Sequence, residues 1–169
     1  MSGEGSPTIS VDGTGLRIAV IAGRWHEVVT NGLIKGAHET IVASGADHTL
    51  FRVSGAFELP VVAKAALKNG FDAVVCLAVI VRGGTPHFEY VSSAATDGLT
   101  QVAIKTGKPI GFGVLTVDTN QQALDRAGLE GSQESKGEEA ALAALEAAVL
   151  LRKIKAEGET MQLVPGQKT

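Results

Sequence analysis

Four short, mainly apolar stretches, each separated from the next by a helical pattern, constrain this chain more than any other feature. They are Leu16–Ala22, His48–Val53, Asp72–Val81 and Pro109–Val117, and the third is almost continuously apolar. Strands buried on both faces read as apolar runs, whereas half-exposed strands alternate. The segments between them carry the helical period and stop at glycines: Val28–Ser44 before Gly45, Phe57–Asn69 before Gly70, Pro86–Thr106 before Gly107, and the short Asn120–Ala127 before Gly128. A last helix opens at Ser135-Lys-Gly-Glu138, the form of a capping box, and Leu142, Leu145 and Val149 then recur at helical spacing. Arg152, Lys153 and Lys155 follow, where the helix dipole favours cations. Such alternation implies right-handed βαβ crossovers and a parallel sheet covered on both faces. The expected fold is therefore α/β: a single-domain, three-layer α/β/α sandwich on a four-stranded parallel sheet, flavodoxin-like. Residues 1–15, rich in Gly, Ser and Thr, read as a flexible N-terminal tail in which Thr8–Asp12 could add a strand elsewhere. Residues 16–157 form the domain, and 158–169 read as a flexible C-terminal tail.

Composition removes several function classes. A net charge of −3, with no basic run interleaved with aromatics, argues against a nucleic-acid surface, so any anion site must be local. No apolar run reaches the roughly 18 residues of a membrane span, and the first residues lack a secretory layout, so a cytoplasmic protein without a membrane partner is expected. The single cysteine, Cys76, lies in an apolar strand and reads as a buried core thiol. His26, His38, His48 and His87 show no metal-ligand spacing, and neither HExxH nor CxxC occurs, so no metal is expected. No GxGxxG follows the first strand and no P-loop is present, so no nucleotide cofactor is expected either.

Ligands of open parallel sheets bind beyond the carboxyl ends of the strands. That rule selects Gly23-Arg-Trp-His26, Ser54-Gly-Ala-Phe-Glu58, Arg82-Gly-Gly-Thr-Pro-His87 and the turn after Val117. In the third loop, Gly83 and Gly84 allow close approach of the backbone, Thr85 suits an N-cap and Pro86 a first helical residue. Unclaimed N–H groups at such a helix start form an anion site, and His87 stands beside it. Lys136 falls in the first turn of the last helix, where a cation is disfavoured by about 0.3–1 kcal/mol. That residue is either a tolerated surface charge or a cation facing an anion. Trp25, directly after a strand, is placed either for the core or for stacking on a planar ligand. Glu58 either favours a helix dipole or holds hydroxyls. These residues by themselves describe an anion site, a ring-stacking residue and a proton-transferring histidine. A module that carries a planar heterocycle without catalysis would need the stacking residue but not His87.

Three segments, Gly55-Ala-Phe-Glu-Leu-Pro60, Val81-Arg-Gly-Gly-Thr-Pro-His-Phe-Glu-Tyr90, and Gly113-Val-Leu-Thr116 with Gln122-Ala-Leu-Asp-Arg-Ala-Gly128, resemble the hallmark segments of the lumazine synthase family in order and spacing. The resemblance runs from about Leu16 to Lys155. It implies a transferase of riboflavin biosynthesis. That enzyme condenses 5-amino-6-(D-ribitylamino)uracil with 3,4-dihydroxy-2-butanone 4-phosphate to 6,7-dimethyl-8-ribityllumazine, phosphate and water, with no cofactor or metal. It further implies that Trp25 stacks on the pyrimidine, that Ala56, Phe57 and Glu58 hold the ribityl chain, and that Ile80 and Val81 contact the pyrimidine and side chain. On the same ground Gly84, Thr85 and Arg126 bind phosphate, His87 transfers protons, Phe112 covers the ring and Lys136 adds positive charge. Phe112, Arg126 and Lys136 would come from a neighbouring subunit of a homopentamer, alone or as one of twelve in a sixty-subunit capsid, with a functional link to riboflavin synthase. Two departures stand out: His26 follows the aromatic where the family often has Asn, and the chain continues past Lys155.

Overall fold

The computed structural model describes residues 10–162. The elements are β1 (Arg17–Gly23), α1 (Glu27–Ala43), β2 (Asp47–Val53), a 3-10 turn (Ala56–Glu58), α2 (Leu59–Lys68), β3 (Ala73–Val81), α3 (His87–Thr106), β4 (Ile110–Val117), α4 (Asn120–Leu124) and α5 (Lys136–Gln162). All four strands pair in parallel in the order β2-β1-β3-β4. The chain therefore winds one way from β1 to β2 and the other way through β3 and β4, which places the topological switch between β1 and β3.

The apolar runs pack on both faces, as the expected sandwich requires. Ile18, Val20, Ala22, Val75, Leu77 and Val79 face α1 and α5. Their strand neighbours Ala19, Ile21, Val74, Cys76, Ala78 and Ile80 face α2 and α3. Cys76 is fully buried, and burial pushes its thiol pKa far up, so it behaves as core and not as a nucleophile. Helix α5 reaches the sheet only because glycines make room. A Cβ on Gly111 of β4 would stand 2.1 Å from the Ala140 carbonyl oxygen, and one on Gly137 would stand 2.0 Å from that of Leu33 in α1. This close approach is the reason for a glycine at position 111.

Most boundaries fall within one or two residues of expectation, and three differ by more. Helix α4 stops at Leu124 instead of Ala127, because the Asp125 carbonyl accepts from the Gln133 and Glu134 amides (2.8 and 2.9 Å) and Ala127 bridges Ser135. Helix α5 continues through Gly158 to Gln162, past the point where a tail was expected. An isolated Gly costs a helix about 1 kcal/mol relative to Ala and does not end it. The segment expected to be a tail up to Gly15 is tied down at its end: the Gly13 N–H donates to the Ser44 carbonyl (2.8 Å) and Arg152 donates to the Thr14 carbonyl (3.1 Å). Of the proposed strand Thr8–Asp12, the first two residues lie outside the described residues, and Ser10–Asp12 pair with no strand. No described helix is long and apolar enough to cross a membrane.

Candidate active site

At the carboxyl ends of β1, β2 and β3 lies a cleft of about 570 Å³. Trp25 and His26 from the β1–α1 bend line it, together with Ser54–Glu58, Val79–Val81, and His87 and Val91 from α3. Seven of the residues expected in the site thus meet here: Trp25, Ala56, Phe57, Glu58, Ile80, Val81 and His87. Trp25 and Phe57 are 70% and 65% exposed, too open for core residues, so both aromatic faces are available to a ligand.

The bend that carries Trp25 is held by specific bonds. The hydroxyl of Thr30, the fully buried polar residue of α1, donates to the Trp25 carbonyl at 2.8 Å, and the Arg24 amide donates to the Ser54 carbonyl at 3.2 Å. His26 has φ 56°, the left-handed region, and is the N-cap of α1 with no side-chain cap bond. Asn and His are among the few non-glycine residues enriched in that conformation. The bend therefore accounts for the exchange of Asn for His as a backbone requirement, and it leaves the imidazole facing the cleft.

Glu58 is fixed from the next loop. One of its carboxylate oxygens accepts from the Gly55 amide at 2.8 Å, which leaves the other without that duty. Helix α3 begins at His87, with Pro86 as its cap residue and no side chain capping it, so Thr85 does not serve as the expected N-cap. Gly83 and Gly84 face open space: a Cβ on either would meet nothing within 4 Å. Arg82 anchors this loop. Its Nε donates to Asp118 at 2.7 Å, its Nη1 pairs with Glu89, and its guanidinium lies 4.1 Å over the Phe88 ring. The hydrogen bond from Arg82 lowers the Glu89 pKa. Arg82 thereby joins the β3–α3 loop to the turn after β4 and to the helix that carries His87.

Three expected residues are elsewhere. Phe112 sits on the edge strand β4 and lines a separate, apolar hollow of about 290 Å³ with Thr96, Leu99, Thr100, Ala103, Ile104 and Ile110. Arg126 and Lys136 lie at the turn before α5 and are joined by the Lys136 amide donating to the Arg126 carbonyl at 3.0 Å. Glu134 stands between them, 3.0 Å from Lys136 Nζ and 3.9 Å from Arg126 Nε, and Glu139 takes Lys136 at 2.9 Å. Burial opposes the Lys136 charge, but the hydrogen bonds to Glu139 and Glu134 outweigh it and leave its pKa raised. These two carboxylates explain how a lysine is tolerated in the first turn of α5. Among the described residues, no Arg or Lys lines the Trp25–His87 cleft itself. Val91 was not expected there, yet it follows His87 by one helical turn, the spacing that puts two side chains on one face. Among the described residues, no group of three or more His, Cys, Asp or Glu could hold a metal ion.

Comparison with known proteins identifies the family. Residues 15–152 match the family model described as 6,7-dimethyl-8-ribityllumazine synthase. Proteins of that name from Leifsonia xyli and Kineococcus radiotolerans are each 63% identical to this chain, covering 92% and 90% of it and 99% and 95% of their own lengths. The one from Streptomyces avermitilis is 56% identical over 91% of this chain and 97% of its own. A family match over nearly all the described residues, and relatives this similar from end to end, establish that the chain belongs to the 6,7-dimethyl-8-ribityllumazine synthase family.

Proposed function

We propose that this protein condenses 5-amino-6-(D-ribitylamino)uracil with 3,4-dihydroxy-2-butanone 4-phosphate to 6,7-dimethyl-8-ribityllumazine, in a site completed by a second subunit. One observation carries the second clause: among the described residues, the cleft gathers a stacking indole, a held carboxylate and an imidazole, but no Arg or Lys for a phosphate. The two cations expected to meet the substrates, Arg126 and Lys136, lie away from that cleft on the same chain, and so does Phe112 on its edge strand. In a heterologous ring each subunit presents one edge to the other edge of its neighbour. The exposed apolar side chains Phe112 and Ile104 on the β4–α3 side suit burial in such a contact. A homopentamer, alone or within a sixty-subunit shell, meets this requirement.

The chemistry fits the residue types. The uracil's 5-amino group attacks the ketone, and loss of one water gives an imine. Elimination of phosphate with the C3 proton then leaves an enol at C3, which tautomerises to a new carbonyl, and the ribityl-bearing nitrogen closes on that carbonyl with loss of the second water. Every step moves a proton, and the His87 imidazole can both give and take one. Trp25 stacks on the pyrimidine, and Ile80 and Val81 contact the pyrimidine and the side chain. Ala56, Phe57 and Glu58 hold the ribityl chain. Gly84, Thr85 and the uncapped start of α3, with the partner subunit's Arg126 and Lys136, hold the phosphate. Fixing both substrates side by side supplies much of the acceleration through proximity. The purified protein given both substrates, without metal or nucleotide, should produce the fluorescent lumazine at a rate that excess chelator leaves unchanged. No product, or a strict metal requirement, would overturn this reading.

A further inference from the structure

Two histidines that the active site does not use meet near the amino ends of the strands. His38 of α1 and His48 of β2 bring Nδ1 and Nε2 to 2.9 Å, with ring centroids 4.9 Å apart and planes inclined at 61°. His38 is exposed and His48 half-buried. His48 pairs in register with Ile18, near the amino ends of the strands, whereas the cleft opens beyond Gly23 and Val53 at their carboxyl ends. The pair is therefore separate from the catalytic machinery. Sequence spacing gave no sign of it, because the turn from α1 into β2 creates the juxtaposition.

Between two neutral imidazoles only one proton can be shared, one nitrogen donating and the other accepting. Moving that proton to the far nitrogen of the ring that carries it frees both facing lone pairs with no net change in charge. Burial, and then the neighbouring His38, lower the His48 pKa, while Asp47 acts the other way. The neutral ring is the one that binds a metal. Metal–imidazole bonds are about 2.0–2.1 Å long. Nitrogens 2.9 Å apart then subtend about 90° at a shared ion, the cis angle of a tetragonal centre. A tetrahedral ion would need them roughly 3.3–3.4 Å apart.

We propose that His38 and His48 form a cis-chelating site for a divalent transition-metal ion, Cu²⁺ or Ni²⁺ in preference to Zn²⁺, which staples helix α1 to the edge strand β2. Two protein ligands, with water in the remaining positions, make it a site of modest affinity. The staple binds the folded chain and so raises its thermal stability by mass action.

The test titrates the full-length protein with CuCl₂ or NiCl₂ in a non-chelating buffer near neutral pH. The expected result is one saturable site per chain, a rise in Tm, and a two-nitrogen signature in the electron paramagnetic resonance spectrum of the Cu²⁺ form. His38→Asn and His48→Asn should each weaken binding by about 10²-fold, the effective concentration that a second tethered ligand supplies. His87→Asn, in the cleft, should leave metal affinity unchanged. Because His38 is exposed, His38→Asn keeps the fold and the lumazine-forming activity, so its result stands even if His48→Asn folds poorly. Equal affinity in wild type and His38→Asn, or no saturable binding in wild type, would overturn the proposal.

Discussion

Single residues in this protein are explained by partners distant in sequence. His26 is tolerated after Trp25 because the bend demands a left-handed backbone, and Thr30 and Ser54 hold that bend in place. Arg126 is the residue whose proposed role is most directly measurable. On its own chain its Nη1 donates to the Gln122 carbonyl at 2.8 Å and its Nε stands 3.9 Å from Glu134. If it also meets a phosphate, the charge-assisted bond is worth about 1.5–3 kcal/mol. Arg126→Ala should then raise KM for the butanone phosphate by about 10- to 150-fold and move KM for the ribitylaminouracil far less. Steady-state kinetics with each substrate varied in turn would decide it, and equal changes in both constants would count against a phosphate role.

At the scale of elements, the decisive contact is α5 against α1 and β4, and it is made of backbone meeting backbone. Gly137 lets the start of α5 press on the Leu33 carbonyl, and Gly111 lets its second turn lie on the strand. A methyl at Gly137 has nowhere to go, since its neighbours are main-chain atoms that cannot turn aside. Overpacking of this kind costs about 2–3 kcal/mol. Gly137→Ala should therefore lower Tm by about 4–12 °C in calorimetry at fixed protein concentration, in a chain of this size. An unchanged Tm would show that α5 shifts without cost. The same elements set the limits of legibility. The strands and the glycine-closed ends of α1, α2 and α3 were readable from apolar runs and turn residues. The early end of α4 was not, because it depends on amides of Gln133 and Glu134 that fold back from beyond the turn.

For the whole molecule, the question is where one active site is assembled. The shared-site proposal has a consequence for mixed rings. A His87→Ala protein and an Arg126→Ala protein should each be nearly inactive at limiting butanone phosphate. Unfolded and refolded together, they form rings in which about a quarter of the heterologous contacts join an intact His87 to an intact Arg126, by simple counting. Activity should recover towards that fraction of wild type. Light scattering on the same sample reports whether the rings are pentamers or larger shells. Well-mixed rings with no more activity than the sum of the two parents would return the whole site to a single chain.

The sequence by itself determined the layered α/β architecture, the strand-end loops that carry chemistry and, through three hallmark segments, the family. Those properties depend on local periodicity, turn residues and short spacings, which a linear chain displays directly. Tertiary structure alone decided which of those residues share a cleft. It grouped Trp25, Glu58 and His87 at the switch between β1 and β3, and set Phe112 on the opposite edge strand and Arg126 and Lys136 among carboxylates. It also brought His38 and His48 to hydrogen-bonding distance across ten residues of chain. Proximity of this kind arises from strand order and helix packing, and no spacing along the chain encodes it.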